Sequence, residues 1–460
     1  MKRSKRQAAS STRRRVPALP PLARLVVCGT LLAACSPERA TSPARAITPT
    51  GSLADKTDAP VVVSVEVIPF APNDVLNTIN GVSVFNGGFG SAIDKPEGGS
   101  NDFYSLTDRG PNVSGSGNDK LFVVPSFNPQ VGRFHLENGT LVRDEVITLK
   151  TASGGPRTGL PVGAAGCGST GEVPKRLDGT PLPFDPNGMD SEGLRVMGDG
   201  TFWVSDEYGP FLTHFDRSGV TLEQDSPCSG PNPLPAVLTL RQPNKGMEGL
   251  ASVLGGTVLV GMIQNPLSNP NSAASKTSRL LRIVFVDVQH HTTRQYAYLL
   301  DNASYGVSEI EAVSPTQFLV DERDGKFFGD PNGPSVQKKI YLIDVTGATD
   351  ISDPANGANG LILGGKTIEQ MNDADFAANN IVPVSKTLIV DLLKFGYTHD
   401  KAEGLVLLDG GHTIGISNDD DFGVTDDGKG NLIQKLLPSG KIDHNELWLF
   451  HLNKSVKTAP

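Results

Sequence analysis

The chain has 460 residues, with 51 glycines, 34 prolines and only 6% aromatics, so it is long enough for a large core and needs no dense disulfide framework. Its formal charge of −9 hides an asymmetry: residues 1–34 carry eight basic residues and no acid, which leaves 33 Lys and Arg against 50 Asp and Glu, or −17, beyond them. Such a surface excludes nucleic acid, which demands a basic footprint, and is compatible with binding cations.

The first segment reads as a leader. A basic stretch precedes the apolar run Leu25-Val26-Val27-Cys28-Gly29-Thr30-Leu31-Leu32-Ala33-Ala34, which is too short for a permanent membrane span. It ends in Leu32-Ala33-Ala34-Cys35, which resembles a bacterial lipobox, with Cys35 as the lipidated residue. Ser36 at the following position favours transfer to an outer membrane. The expected organisation is a lipoprotein signal peptide over 1–34, a tether rich in Ser, Pro and Thr over 35–59, and one folded domain over 60–460. The membrane is then touched only through the lipid, and a monomer is expected. Beyond Cys35 the chain has only Cys167 and Cys228; in an oxidising compartment two lone thiols pair, and a free reactive thiol is the alternative.

From Val61 the pattern is β-like, opening on the β-branched run Val61–Pro69. Four segments then repeat one plan, an acidic-Gly-apolar strand followed by a strand ending in polar residues. They are Asp190–Leu194 leading to Phe202–Gly209, Gly246–Leu250 leading to Val258–Met262, Ser308–Val313 leading to Phe318–Arg323, and Lys401–Leu405 leading to Ile414–Asp420. A looser copy joins Gly90–Ile93 to Phe103–Arg109. Further strands such as Leu280–Asp287 and Lys339–Asp344 follow the repeats. The pattern predicts an all-β propeller of five or six four-stranded blades, six being allowed because 113–189 and 345–390 are long enough to hide strands. The last strand, Glu446–His451, is expected to pair with residues 61–68 and close the ring, which removes both exposed sheet edges.

In such a ring the first strand of each blade lines the axis. Glu192, Glu248, Glu311 and Glu403 then point several negative charges at one place, which raises their pKa values or calls for a counter-ion. Several hard oxygen ligands suit Ca²⁺. The expected ligands are Glu192, Glu311, Glu403, Asn418, Asp419 and Asp420. The alternative for each glutamate is a hydrogen bond to a neighbouring backbone or an arginine. Second strands end in Asp108-Arg109, Asp206-Glu207, Asp321-Glu322-Arg323 and Asn418-Asp419-Asp420-Asp421, which would gather at one mouth. The candidates for catalysis are Glu192, Asp206, Glu207, Asp321, Glu322 and Glu403. No Gly-x-Ser-x-Gly elbow, Walker loop, dinucleotide fingerprint or His-Glu-x-x-His occurs.

The phrases Asp190–Gly209, Lys245–Leu250, Ser308–Arg323 and Lys401–Gly423 resemble the phytase-like family, "esterase-like activity of phytase", over roughly residues 70–452. The resemblance implies a propeller and Ca²⁺-dependent hydrolysis of a small phosphorylated or ester substrate, with Arg109, Arg323 and Lys401 placed to grip phosphate. Two alternatives stay open: a lactonase-type ester hydrolase with one metal held by a similar Glu/Asn/Asp set, and a binding lipoprotein without catalysis. The leader makes one prediction. Replacing Cys35 by Ala should move the protein from the membrane fraction to the soluble fraction, and membrane retention with unchanged gel mobility would contradict lipidation.

Overall fold

The computed structural model describes residues 59–71, 74–96, 101–163 and 169–458. The leader, Cys35, most of the tether and Cys167 lie outside them. Cys228 is disulfide-bonded.

Five four-stranded antiparallel sheets follow one another along the chain. The first contains Ala92–Asp94, Phe103–Leu106, Gln130–Glu137 and Thr140–Thr148, and the second Ser191–Val196, Phe202–Asp206, Phe211–Phe215 and Thr221–Asp225. The third contains Met247–Val253, Val258–Ile263, Leu280–Asp287 and Thr292–Leu299. The fourth contains Gly306–Ala312, Gln317–Arg323, Lys338–Asp344 and Ser385–Asp391. The fifth is built from Leu405–Leu408, Thr413–Ser417, Glu446–Leu452 and, as its outermost strand, Val62–Pro69. Val65 faces Phe450 and Pro69 faces Glu446, so the two ends of the domain share one sheet, as expected.

The sequence explains why these strands bury as they do. Inner strands such as Ser191–Val196 are buried along nearly their whole length, because a neighbouring sheet covers each face. The outermost Val62–Pro69 instead exposes Val63 and buries Val62, Val65 and Ile68. An apolar cluster fills each junction between successive sheets. Leu106 and Val131 meet Leu194 and Phe202 between the first and second, and Trp203 meets Leu250 and Leu259 between the second and third. Val260 and Ile283 meet Ile310 and Val320 between the third and fourth. Leu319 and Ile340 meet Leu405 and Ile416 between the fourth and fifth. The fifth cluster joins Val406, Leu447 and Leu449 to Ile93, Phe103 and Phe134 of the first sheet. The chain is therefore all-β and propeller-like, with little helix.

Among the described residues, neither long segment holds a sixth four-stranded sheet. Residues 112–176 carry a small sheet of Asn112–Ser114, Asp119–Phe122 and Val173–Arg176. Residues 345–390 carry a two-stranded turn, the short helix Asp373–Ala378 and the outermost strand of the fourth sheet.

Inner strands approach one another closely, and three glycines permit it. A Cβ added at Gly193 would lie 2.8 Å from the Glu248 carbonyl oxygen, one at Gly249 2.6 Å from Ile310 N, and one at Gly404 2.7 Å from Ile93 N. Each glycine directly follows a glutamate of the repeat. Serines complete these seams: Ser191 Oγ donates to Thr107 O (2.7 Å), Ser205 Oγ to Glu248 O (2.9 Å) and Ser417 Oγ to Gly90 O (3.1 Å). Gly249→Ala should therefore destabilise the fold by about 1–3 kcal/mol, the usual range for overpacking. Chemical denaturation measures this, and an unchanged midpoint would contradict the close approach.

Candidate functional site

Strand pairing places the repeated acids. Leu194 pairs with Val204, Leu250 with Gly261, Ile310 with Val320 and Leu405 with Ile416, so these four apolar residues are equivalent. Two residues before them stand Glu192, Glu248, Ser308 and Glu403. Register shifts between Ser191 and Leu194, Met247 and Gly249, and Val307 and Ile310 free the glutamate or serine position from the regular ladder; such bulges re-aim side chains. Glu311 is thus not a counterpart of Glu192, contrary to the sequence expectation. It stands where the second sheet has Arg195.

At the start of the inner strands the acids gather. Oxygens of Asp190, Glu192 and Glu207, all buried, lie within 4.8 Å of one another. Burial pushes Glu192 well above the ordinary carboxylate range, and the charges of Glu248, Asp190 and Glu207 push it further. Glu248 is raised well up by burial and then by Glu207, against Lys245. Gln264 donates to Glu248 Oε1, while Glu248 Oε2 and Glu207 Oε1 are buried without a hydrogen-bond donor. Lys245, with 42% of its side chain exposed, brings Nζ to 4.0 Å from Glu207 Oε1. Buried carboxylates so close together either keep their protons or hold a cation.

The three expected phosphate-gripping cations are each already engaged. Arg109 meets Glu172 at 2.8 Å and Asp190 at 3.3 Å and lies over the Tyr208 ring. Arg323 meets Glu403 at 2.6 Å and donates to Ser308 Oγ at 2.8 Å. Lys401 pairs with Asp419 and, at 2.7 Å, with Asp421. Lys435 meets Asp400, Asp421 and Asp443 at 3.0, 2.7 and 3.3 Å, completing a second group of acids and lysines.

The expected metal set is not assembled as drawn. Glu403 is held by Arg323, and Asp419 by Lys401. Asn418 accepts from Glu446 N and donates to His444 O, and Asp420 accepts from Gly88 N and Phe422 N. Among the candidates for catalysis, Glu192 and Glu207 share the three-acid group. Asp206 serves the backbone, accepting from Asp190 N and Tyr208 N. Asp321 is buried with neither oxygen hydrogen-bonded, and burial pushes it well up, against Arg323. Glu322 lies apart, bound by Tyr298 Oη at 2.7 Å, Lys386 Nζ at 2.6 Å and Gln337 at 3.0 Å. Sequence reasoning gave no role to Asp190, although it opens the repeated phrase Asp190–Leu194 that carries Glu192. Lys245, Gln264 and Lys435 carried no such signal.

The far end of the inner strands is closed by a different network. Arg195 meets Glu311 at 2.7 Å and Asp94 at 3.3 Å and donates to Ile310 O at 3.0 Å. Asp94 accepts from Val196 N, Glu311 from Leu407 N and Glu309 from Leu250 N. These contacts join all five inner strands.

The sequence profile of the phytase-like family, described as esterase-like activity of phytase, matches residues 85–422. The chain belongs to that family. It is 30% identical over 133 residues to an uncharacterized secreted protein of Arthroderma benhamiae, a match covering 24% of this chain and 26% of that protein. Among solved structures it is similar to a luciferin-regenerating enzyme, at 8% identity and TM-score 0.31 over 77% of this chain and 76% of the other. It is also similar to the β-propeller domain of Cps50 (Swd1) from Myceliophteria thermophila, at 11% identity and TM-score 0.32 over 82% and 99%.

The charge arrangement of this phytase-like chain has a pH consequence away from the three-acid group. Burial raises Glu311 to about 7, outweighing Arg195, and burial with the charges of Asp419 and Asp443 raises Asp420 to about 8. Burial alone would lower His399, but its bonds to Asp443 (2.6 Å) and Glu446 (3.1 Å) outweigh that and raise it to about 9. In each case the folded state binds more protons than the unfolded one, so stability falls as pH rises. The carboxyl contributions are lost from their ordinary range near 4 up to about 8; that of His399 is complete below 6.5 and lost through about 9. Denaturation midpoints should decline between pH 5 and roughly 9, and a rise over that interval would contradict this balance.

Proposed function

We propose that the five sheets are the blades of a closed five-bladed propeller whose acidic mouth holds a hard divalent cation, Ca²⁺ suiting it best, for hydrolysis of an ester bond. The observation that carries this reading is the group Asp190, Glu192 and Glu207, buried and within 4.8 Å of one another, beside a Glu248 oxygen that has no donor. An all-oxygen, multiply anionic set of this kind fits Ca²⁺ better than a softer metal. When bound, the ion would neutralise charge on a substrate oxygen and make water more acidic.

The chain's own residues supply the rest. Glu248, with Oε1 held by Gln264 and Oε2 without a donor, would offer a further oxygen to the ion or to a water beside it. Lys245 is the cation most exposed at this group and would attract an anionic substrate from solvent. Arg109 and Arg323 hold Asp190 and Glu403 in place, so they orient the acids more than they grip phosphate. That engagement favours a neutral ester or lactone over a highly charged phosphate, and it equally favours a binding protein that keeps the ion for a ligand. Aryl acetate and aryl phosphate assays with and without EDTA separate these readings: EDTA-sensitive turnover of either supports hydrolysis, and turnover of neither supports binding. Export and lipid attachment at Cys35 belong to the same proposal, supported by the leader sequence and by the secreted relative.

Glu192→Gln and Glu207→Gln should each weaken Ca²⁺ binding by about tenfold or more, as loss of a well-placed ligand or its support does. Calorimetric titration measures both, and wild-type affinity in both variants would exclude the site.

A further inference from the structure

The small sheet carries a lysine that the acidic mouth has not yet absorbed. Lys120 lies on Asp119–Phe122, the central strand of that sheet, between Asn112–Ser114 and Val173–Arg176. Strand alternation sets Lys120 and the buried Phe122 on one face and Leu121 on the other, in an apolar cluster with Val113 and Phe422. A chain of charged contacts runs from this lysine to the three-acid group. Its Nζ stands 3.7 Å from Glu172 Oε1, Arg109 Nη1 donates to Glu172 Oε2 at 2.8 Å, and Arg109 Nε meets Asp190 at 3.3 Å. The Lys120 side chain is only 18% exposed, and no described residue accepts a hydrogen bond from its Nζ. Lys338, Lys401 and Lys435, in contrast, each donate to a carboxylate.

The carboxylates around Lys120 each have a nearer cation. Glu172 and Asp190 are held by Arg109, and Asp421 by Lys401 and Lys435 at 2.7 Å each. Residues 164–168, outside the described part and close before Glu172 in the chain, carry no charged side chain. Burial and then the charge of Arg109 hold the Lys120 ammonium below the ordinary lysine range, with Glu172, Asp190 and Asp421 acting against them. A largely buried ammonium calls for an acceptor, and the protein supplies none at hydrogen-bond distance. We propose that the ligand of the acidic mouth carries one singly charged oxyanion, a carboxylate being the simplest, and that Lys120 anchors it. This rests on the reading of that mouth as the ligand site and names the class of ligand: an ester or lactone whose reacting bond is neutral while a separate group bears the charge. One ammonium without a matched partner suits one negative charge, and a second would stand against Glu172, Asp190 and Asp421. Lys245, more exposed and beside Glu207, draws such an anion in, and Lys120 fixes where its charge rests.

Three probes on one skeleton that resist ester hydrolysis read this directly: glutaramide, glutaramate and glutarate, which are neutral, singly charged and doubly charged. In ligand-observed NMR titrations of the purified full-length protein with Ca²⁺ present, glutaramate should bind at least about tenfold tighter than either of the others. Lys120→Gln should bind glutaramate and glutaramide alike, whereas Lys120→Arg should keep the preference. If Lys120→Gln does not fold by circular dichroism, Lys120→Met, which keeps the apolar stem, takes its place. Calorimetric Ca²⁺ titration of the same wild-type sample separates this proposal from the cation reading. Selection of the monoanion through Lys120 without Ca²⁺ binding would sink the cation site and leave the anchor standing, and Ca²⁺ binding without that selection would do the reverse. No glutaramate binding, equal or tighter binding of glutaramide or glutarate, or undiminished selection in a folded Lys120→Gln or Lys120→Met protein would each overturn the assignment.

Discussion

Arg195 is the constraint on which the arrangement of the two mouths turns. Its guanidinium is buried where the inner strands converge, and a charge there is tolerated only with close partners. Asp94 and Glu311 supply them from the first and fourth sheets. The same carboxylates, with Glu309, also accept backbone N–H groups of the second, third and fifth inner strands. Removing one member of such a buried group leaves the others unpaired, at a loss of about 3–5 kcal/mol. The network therefore fixes the register of the inner strands relative to one another, and that register determines which side chains meet at the opposite end.

At the opposite end no single cation plays this part. Asp190, Glu192 and Glu207 share one small volume, with the charge of Glu248 acting on Glu192, while Arg109 and Arg323 are divided among Glu172, Asp190 and Glu403. The acids are left with protons or with an ion. The glycines after Glu192, Glu248 and Glu403 let the backbones come close enough for this crowding to occur. Close approach and charge excess thus have a common origin in the repeated Glu-Gly pair. A ligand that binds only the folded arrangement stabilises it, so a cation would act on stability and chemistry together.

Much of this was legible in the sequence. The repeated strand-turn-strand phrases mark all five sheets, the looser copy from Gly90–Ile93 to Phe103–Arg109 marking the first, and the Val61–Pro69 run pairs with the last strand as its apolar pattern implied. The phytase-like resemblance is borne out by the family match. The misplacement of Glu311 has a definite cause. Ser308-Glu309-Ile310-Glu311 offers two glutamates around one apolar residue, and only the shift in pairing between Val307 and Ile310 shows that neither is the counterpart of Glu192. Bulges leave no mark in a hydrophobic pattern. The engagement of Arg109 was equally hidden, since Glu172 reaches it from 63 residues further along the chain, whereas Lys401 and Asp419 stand at the two ends of one strand-turn-strand phrase. The strands Asn112–Ser114 and Asp119–Phe122 are too short to show a period, so the excursion that supplies Glu172 could not be told from part of a sixth blade.

Opposite ends of the same inner strands thus differ in how their acids are held: at one, Asp190, Glu192 and Glu207 crowd together; at the other, Asp94 and Glu311 are ordered around the Arg195 guanidinium. The first of these is the central claim. It is tested most directly by an anomalous difference map from a crystal of the protein grown with Mn²⁺ in place of Ca²⁺. The account predicts a peak coordinated by Asp190, Glu192 and Glu207, at roughly 2.1–2.3 Å from their oxygens, a little shorter than for Ca²⁺. A map without a peak there, with Lys245 or a shared proton bridging the three acids instead, would contradict it.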